Sequence, residues 1–454
     1  MDVATAAQAA RGPQPLWAIV PVHARARYLR RLAQALLDEV DALAAMLATE
    51  PGLARTDALL GELLPGVGGL HELADEGPAA LEDQRLGRAA PLRAGRRSVL
   101  ISAPVGVVGI CSGAASPWAE PVLEVGAALL AGNGVVLSPA TRESGKRLVA
   151  ACARSGFPDG LVQIVEPAVA LETLAEHCDR VSAATVGAKG TMLVLAGAPI
   201  DRVVGGALWS AFARGGQGPA AVGRVIAVPQ VADELLTAVQ EAARRLRVGD
   251  PTERETEIGP LASRTDLETV DTLVREAVAS GAVQVAGGPV EGRDGPYYAP
   301  AVLRHVPPDA RVLTASVPGP VIALVEARDE AEAIALAIAV NDAPVSVWSG
   351  DRGHGERVAR AIGAELTWVN EHGSTPPAAP VRLARHTVAR QIASQPTRLR
   401  SARWLPYDAA LVDASTTSAR LMHGRESERG AVLRAGAVPL VRVAVRLARE
   451  ALRR

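Results

Sequence analysis

The chain has 454 residues, 48% of them apolar, enough to bury a sizeable core in two or three domains. Charged residues make up 21% and the formal net charge is −1, so no long-range field draws the chain to nucleic acid or to an anionic membrane. Cys111, Cys152 and Cys178 form no CxxC pair and no cluster with histidine, which argues against a disulfide framework and against a metal site.

Residues 1–17 lack the charged and apolar stretches of a signal peptide and read as a frayed, cytosolic terminus. No segment reaches the roughly 18 uninterrupted apolar residues of a membrane helix, so a cytoplasmic location is expected. Residues 24–50 place Leu29, Leu32, Leu36, Val40, Leu43 and Leu47 on one face of an amphipathic helix. A second helical stretch, 54–76, should break at Pro65-Gly66. Residues 83–103 are polar and arginine-rich and end in SVLIS, a strand signal.

From Val105 the pattern alternates. Strands are expected at 105–111, 133–139 and 161–166, and helices at 120–132, 144–156 and 170–178. That rhythm predicts a parallel sheet with helices on its faces. A second lobe follows: helix 206–214, strand 222–228, helices 231–246 and 263–280, strands 283–288 and 321–327, helix 329–340, strand 345–350, helix 355–363 and strand 365–370. The tail from 417 reads as one basic amphipathic helix, a solvated surface or a subunit contact. Among 48 lysines and arginines only Lys146 and Lys189 are lysines, so few amines exist for Schiff-base chemistry.

Six segments then stand in a telling order: PVGVVGI (104–110), AGNGVVLSP (131–139), VGDPTERETEIGPL (248–261), DGPYYAPAVL (294–303), PGPV (318–321) and TWVN (367–370). From about residue 16 to about 410 the chain resembles the aldehyde dehydrogenase superfamily. The resemblance implies an α/β fold, with a truncated Rossmann-like cofactor domain over 1–82 and 104–187. A catalytic-type α/β domain would cover 188–385, a β oligomerisation arm 83–103 and 386–410, and a helical tail 411–454. It also implies a homo-oligomer (dimer or tetramer) or a hetero-oligomer with an active homologue, and no nucleic acid or membrane partner.

In that family a cysteine thiolate attacks the aldehyde, a side-chain amide stabilises the oxyanion, and a glutamate acts as base. The chain is similar to the nucleophile motif F-x-N-x-G-Q-x-C at Phe212-Ala-Arg214-Gly-Gly216-Gln217-Gly218-Pro219, so Pro219 stands at the cysteine. Ala115, or Ala119 in a shifted frame, stands at the amide, and Thr185 at the base. Ser138 and Ser316 stand at the lysine and glutamate that hold the cofactor riboses. The pyrophosphate turn that should follow Val181 is missing. These departures imply a degenerate member, a pseudoenzyme or assembly partner that has lost NAD(P)-dependent aldehyde oxidation, with no cofactor expected. One alternative is a repurposed non-redox enzyme of a biosynthetic pathway using the old substrate tunnel. Another is an NAD(P)-dependent aldehyde dehydrogenase, which would bind NAD(P). A pocket for a small-molecule ligand would be lined by Arg214, Gln217, Ser116, Asn370 and His372. Glu120 and Glu124 read as solvated helix positions, and Lys189 as a turn cap.

Overall fold

The computed structural model describes residues 1–49, 53–86, 97–113, 116–183, 189–218, 221–339, 344–364, 366–373, 378–394 and 409–452. They form two units: Met1–Ala80 with Pro104–His386, and Leu81–Ala103 with Thr387–Arg454. Three sheets lie among these residues. The smallest contains β1 (Gln84–Leu86), β2 (Arg97–Pro104) and β14 (Thr387–Ser394) in the order β1-β2-β14, with β1 and β2 antiparallel.

The first lobe of the larger unit holds β3 (Val107–Cys111), β4 (Gly134–Ser138), β5 (Val162–Ile164) and β6 (Arg180–Ala183), all parallel, in the order β5-β4-β3-β6. This is the parallel α/β sheet that the alternation from Val105 predicts. The second lobe holds β7 (Gly190–Val194), β8 (Val222–Ala227), β9 (Val283–Pro289), β10 (Tyr298–Arg304), β11 (Val321–Glu326), β12 (Val345–Trp348) and β13 (Thr367–Val369). Its order is β13-β12-β7-β8-β11-β10-β9, and only β9 runs antiparallel to its neighbour. Met192, Val194, Val225, Ile226, Ile322 and Leu324 supply its core.

Two expectations fail in the helices. Residues 3–11 are not frayed. Asp2 caps a helix Val3–Arg11 through its carboxylate and the Thr5 N–H at 2.8 Å, and Val3, Ala6, Ala7 and Ala10 pack with Val107, Val136 and Leu174. Small side chains let this helix approach β4 so closely that a Cβ on Gly134 would meet the Ala10 carbonyl at 2.9 Å. Nor does the chain break at Pro65-Gly66. Arg55–Asp57 leads into a π-helix, Ala58–Leu63, and on into the helix Leu64–Ala80. Pro65 falls at the first turn after the wider π segment, where a missing N–H costs least. Gly69 there admits Leu123, whose Cδ2 would lie 2.5 Å from an added Cβ.

The smaller unit ends in two helices, Ala409–His423 and Arg429–Leu452, rather than the single helix expected from 417. A Cβ on Gly436 would come within 2.1 Å of Thr417 Cγ2, so the two pack closely, around Leu411, Ala414 and Val443. Among the described residues no helix is long and apolar enough to cross a membrane.

Candidate functional site

β7, β8 and β11 are adjacent and parallel, so the segments entering their amino ends lie side by side. Lys189 precedes β7, residues 213–218 approach β8, and Gly319 precedes β11. Lys189 Nζ donates to the Gly319 carbonyl at 2.6 Å, capping that turn, and burial lowers the amine to about 7. The loop before β8 turns sharply through three left-handed residues, Arg214 (φ 55°), Gly215 (φ 61°) and Gly216 (φ 69°). Gly216 is pressed between two segments of the backbone: a Cβ would sit 2.4 Å from the Gly319 oxygen and 2.7 Å from the Ala211 oxygen.

The strained Arg214 is held from both ends. Its N–H donates to Asp57 Oδ2 at 2.7 Å, and its guanidinium pairs with Glu62 Oε1. The Glu62 side chain is fully buried and that of Arg214 is 13% exposed. The other Glu62 oxygen accepts from Trp118 N–H (3.0 Å), Ala119 N–H (2.7 Å) and Ser116 Oγ (3.1 Å). Those amides open the helix Ala119–Ala131, whose N-cap residue, Trp118, supplies no side-chain cap. Glu62 therefore satisfies orphan donors and meets the positive end of the helix dipole. The guanidinium lies between Gly61 and Gly218; a Cβ on Gly218 would be 2.7 Å from Nη2.

Burial pushes the Asp57 carboxyl up to about 6, Glu62 adds to the rise, and the Arg214 N–H and charge oppose it. A carboxylate raised from 3.8 destabilises the fold above about pH 6 and costs nothing below 3.8. Asp57→Asn keeps an oxygen for the Arg214 N–H and should stabilise the protein by about 1–3 kcal/mol at pH 7. The gain should vanish as pH falls towards 4. Urea melts at the two pH values check this, and equal gains at both would refute it.

Of the sequence-expected pocket residues, Arg214 and Ser116 meet at Glu62. Gln217 turns elsewhere: its Oε1 accepts from Ala262 N–H at 3.1 Å and its Nε2 lies 3.5 Å from Asp266 Oδ2. Asn370 follows the edge strand β13, with φ 58°, and its Oδ1 accepts from Ser349 N–H at 2.8 Å. His372 is buried, its Nδ1 3.0 Å from Ser346 Oγ and its ring 4.6 Å from that of Trp368. Sequence reasoning missed Asp57 and Glu62. The one available signal was a glutamate inside the apolar run LLGELL.

Glu124 is not solvated. It is 3% exposed and lies in a second ionic cluster, with Arg382 Nη1 at 2.6 Å from its Oε1, and His386 Nε2 (2.9 Å) and Ser182 Oγ (2.6 Å) at its Oε2. Glu120, half-buried, shares Arg382 at 2.9 Å. The helix Ala379–Ala384 brings Arg382 to a face of Ala119–Ala131 that is buried on almost every side.

The pattern of the aldehyde dehydrogenase family matches residues 1–183 and 168–382. The chain belongs to the aldehyde dehydrogenase family. It is 28% identical over 392 residues (79% of this chain, 80% of the relative) to the succinate-semialdehyde dehydrogenase [NADP(+)] of Deinococcus radiodurans. It is 32% identical over 386 residues (76% and 69%) to the 4,4'-diapolycopene aldehyde oxidase of a Methylomonas species. Among solved structures it is similar to the NAD-dependent benzaldehyde dehydrogenase of Corynebacterium glutamicum, with a TM-score of 0.78, 25% identity and coverage of 87% of this chain and 90% of that one.

Within the family frame, Ala115, Thr185 and Pro219 lie outside the described residues. Ala119, the amide position in the shifted frame, is buried and lends its N–H to Glu62. Ser138 is fully buried; its hydroxyl donates to the Glu166 carbonyl at 2.9 Å and accepts from Val169 N–H at 3.1 Å. Ser316 is exposed between a short helix and β11. Only six residues separate β6 from β7, too few for a phosphate-binding helix and another strand. At the two ribose positions of the family frame the chain thus offers hydroxyls in place of charged groups. Burial raises all three thiols, Cys152 to about 12 and Cys178 to about 11, so none is a thiolate at neutral pH. Among the described residues no group of histidine, cysteine and carboxylate side chains could hold a metal ion.

Proposed function

We propose that the chain is an oxidoreductase acting on an aldehyde or oxo group, with the aldehyde received beside residues 213–218. The observation that carries this reading is the convergence of three strand-end segments and the start of the helix Ala119–Ala131 around Arg214. The names of the Deinococcus radiodurans and Corynebacterium glutamicum proteins support the same class of activity. They also make NAD(P) the electron acceptor to test first. Because the chain offers hydroxyls in place of charged groups at the two ribose positions, no hydride step is assigned to any of its residues. A homo-oligomer, or a hetero-oligomer with an active homologue, is the proposed assembly.

A second reading is a protein that keeps the fold without oxidising aldehydes, or turns the pocket to non-redox chemistry. It is favoured by one observation: a buried ion pair, Arg214 with Glu62, fills space beside the nucleophile motif, and that motif ends in Pro219. The two readings separate in one assay. The purified chain, given aliphatic and aromatic aldehydes with NAD or NADP, is expected to form reduced nicotinamide. Iodoacetamide is expected to leave the rate unchanged, because the three thiols are protonated and 219 has none. Loss of turnover after alkylation would mean that one of these thiols is the nucleophile. Absence of turnover with every aldehyde would put the second reading ahead.

A further inference from the structure

Glu62 meets its partners as a bound ligand would. One carboxylate collects a guanidinium, two backbone N–H groups at a helix start and one hydroxyl, and it is sealed from water. Such a set of donors is what a pocket for a carboxylate requires. Here the chain supplies the carboxylate itself, from a π-helix, a kind of irregular turn that recurs at functional sites. Arg214, which the family pattern would have as asparagine, brings a full positive charge to the group. Glu62 cancels it, and Asp57 on the other side of Arg214 adds negative charge above its titration. Asp266, bonded to Ser263 and 3.5 Å from Gln217, adds another carboxylate near the loop. A ligand bringing a further carboxylate would face a site that is already neutral or negative, in surroundings where charge is poorly screened.

The geometry points to Glu62 as the residue that sets ligand charge: a built-in anion that cancels the positive charge gathered by Arg214 and the helix start at Trp118 and Ala119, so that the site takes uncharged aldehydes and turns away those carrying a carboxylate. This rests on the reading that the site receives an aldehyde, and it deepens that reading by naming the substrate class.

The test compares wild type with Glu62→Gln, using two probes of similar length in calorimetric titration: succinate, which carries carboxylates, and butyramide, which does not. Wild type should bind butyramide at least roughly tenfold more tightly than succinate, and Glu62→Gln should tighten succinate by roughly tenfold or more with little change for butyramide. Succinate bound by wild type as well as butyramide would overturn the proposal. So would a folded Glu62→Gln variant with no gain for succinate, or a wild type that binds neither probe. If circular dichroism shows that Glu62→Gln does not fold, the wild-type titrations decide alone.

Turnover gives an independent reading. Butanal should exceed succinate semialdehyde in kcat/KM by roughly tenfold or more, and the reverse order would overturn the proposal. Turnover with neither aldehyde would count against the oxidoreductase reading, while the titrations would still decide the charge selection.

Discussion

Replacing Arg382 with methionine is expected to lower the free energy of unfolding at pH 7 by about 3–5 kcal/mol, the usual cost of removing one partner from a buried ion pair. The side chain is 3% exposed and bonds to both Glu120 and Glu124. Methionine conserves much of the volume, so the loss reports charge and hydrogen bonding more than a cavity. Burial alone would raise the Glu124 carboxyl. The His386 hydrogen bond and charge, with Arg382 and Ser182, more than offset it and hold the group at about 2. A carboxylate depressed from 4.5 contributes stability that is complete above 4.5 and is lost as pH falls towards 2. The penalty of Arg382→Met should therefore be full at pH 7 and shrink steadily below pH 4.5. Urea denaturation across that range measures it, and a penalty under about 1 kcal/mol at pH 7 would place this pair with ordinary surface bridges.

Gly216→Ala is expected to be comparably severe. A left-handed backbone costs an alanine about 1–2 kcal/mol, and crowding in a packed interior adds about 1–3 kcal/mol. The crowding here is against two backbone carbonyls, of Gly319 and Ala211, which cannot rotate away as a side chain could. Gly215→Ala is the matched control. Its φ is also positive, but the nearest atom to an added Cβ is Leu261 Cδ2 at 3.5 Å, so only the backbone cost applies. Thermal melts of the two variants should separate clearly. Equal losses would mean that the tight contact between the loop and the segment before β11 carries no energy.

Much of the fold was legible because buried parallel strands write themselves as apolar runs. VVGIC, GVVLS and VIALVE became β3, β4 and β11. The helix Val3–Arg11 was not legible, since an alanine-rich segment carries little periodic contrast, and its burial depends on a strand more than a hundred residues away. The site was only half legible. Motif spacing pointed to Arg214 and Ser116, but the residue that joins them, Glu62, lies 54 positions before Ser116 and in a region with no motif. Glu124 was misread for a related reason. A charge on an amphipathic surface and a charge paired in the interior look alike in sequence, and the partners Arg382 and His386 stand 258 and 262 residues away.

The six residues between β6 and β7 also cap how far apart the facing ends of those two strands can lie. Seven chain steps reach at most roughly 25 Å even when fully extended. The end of an edge strand, β6, and the start of an interior strand, β7, thus stay within that span of each other.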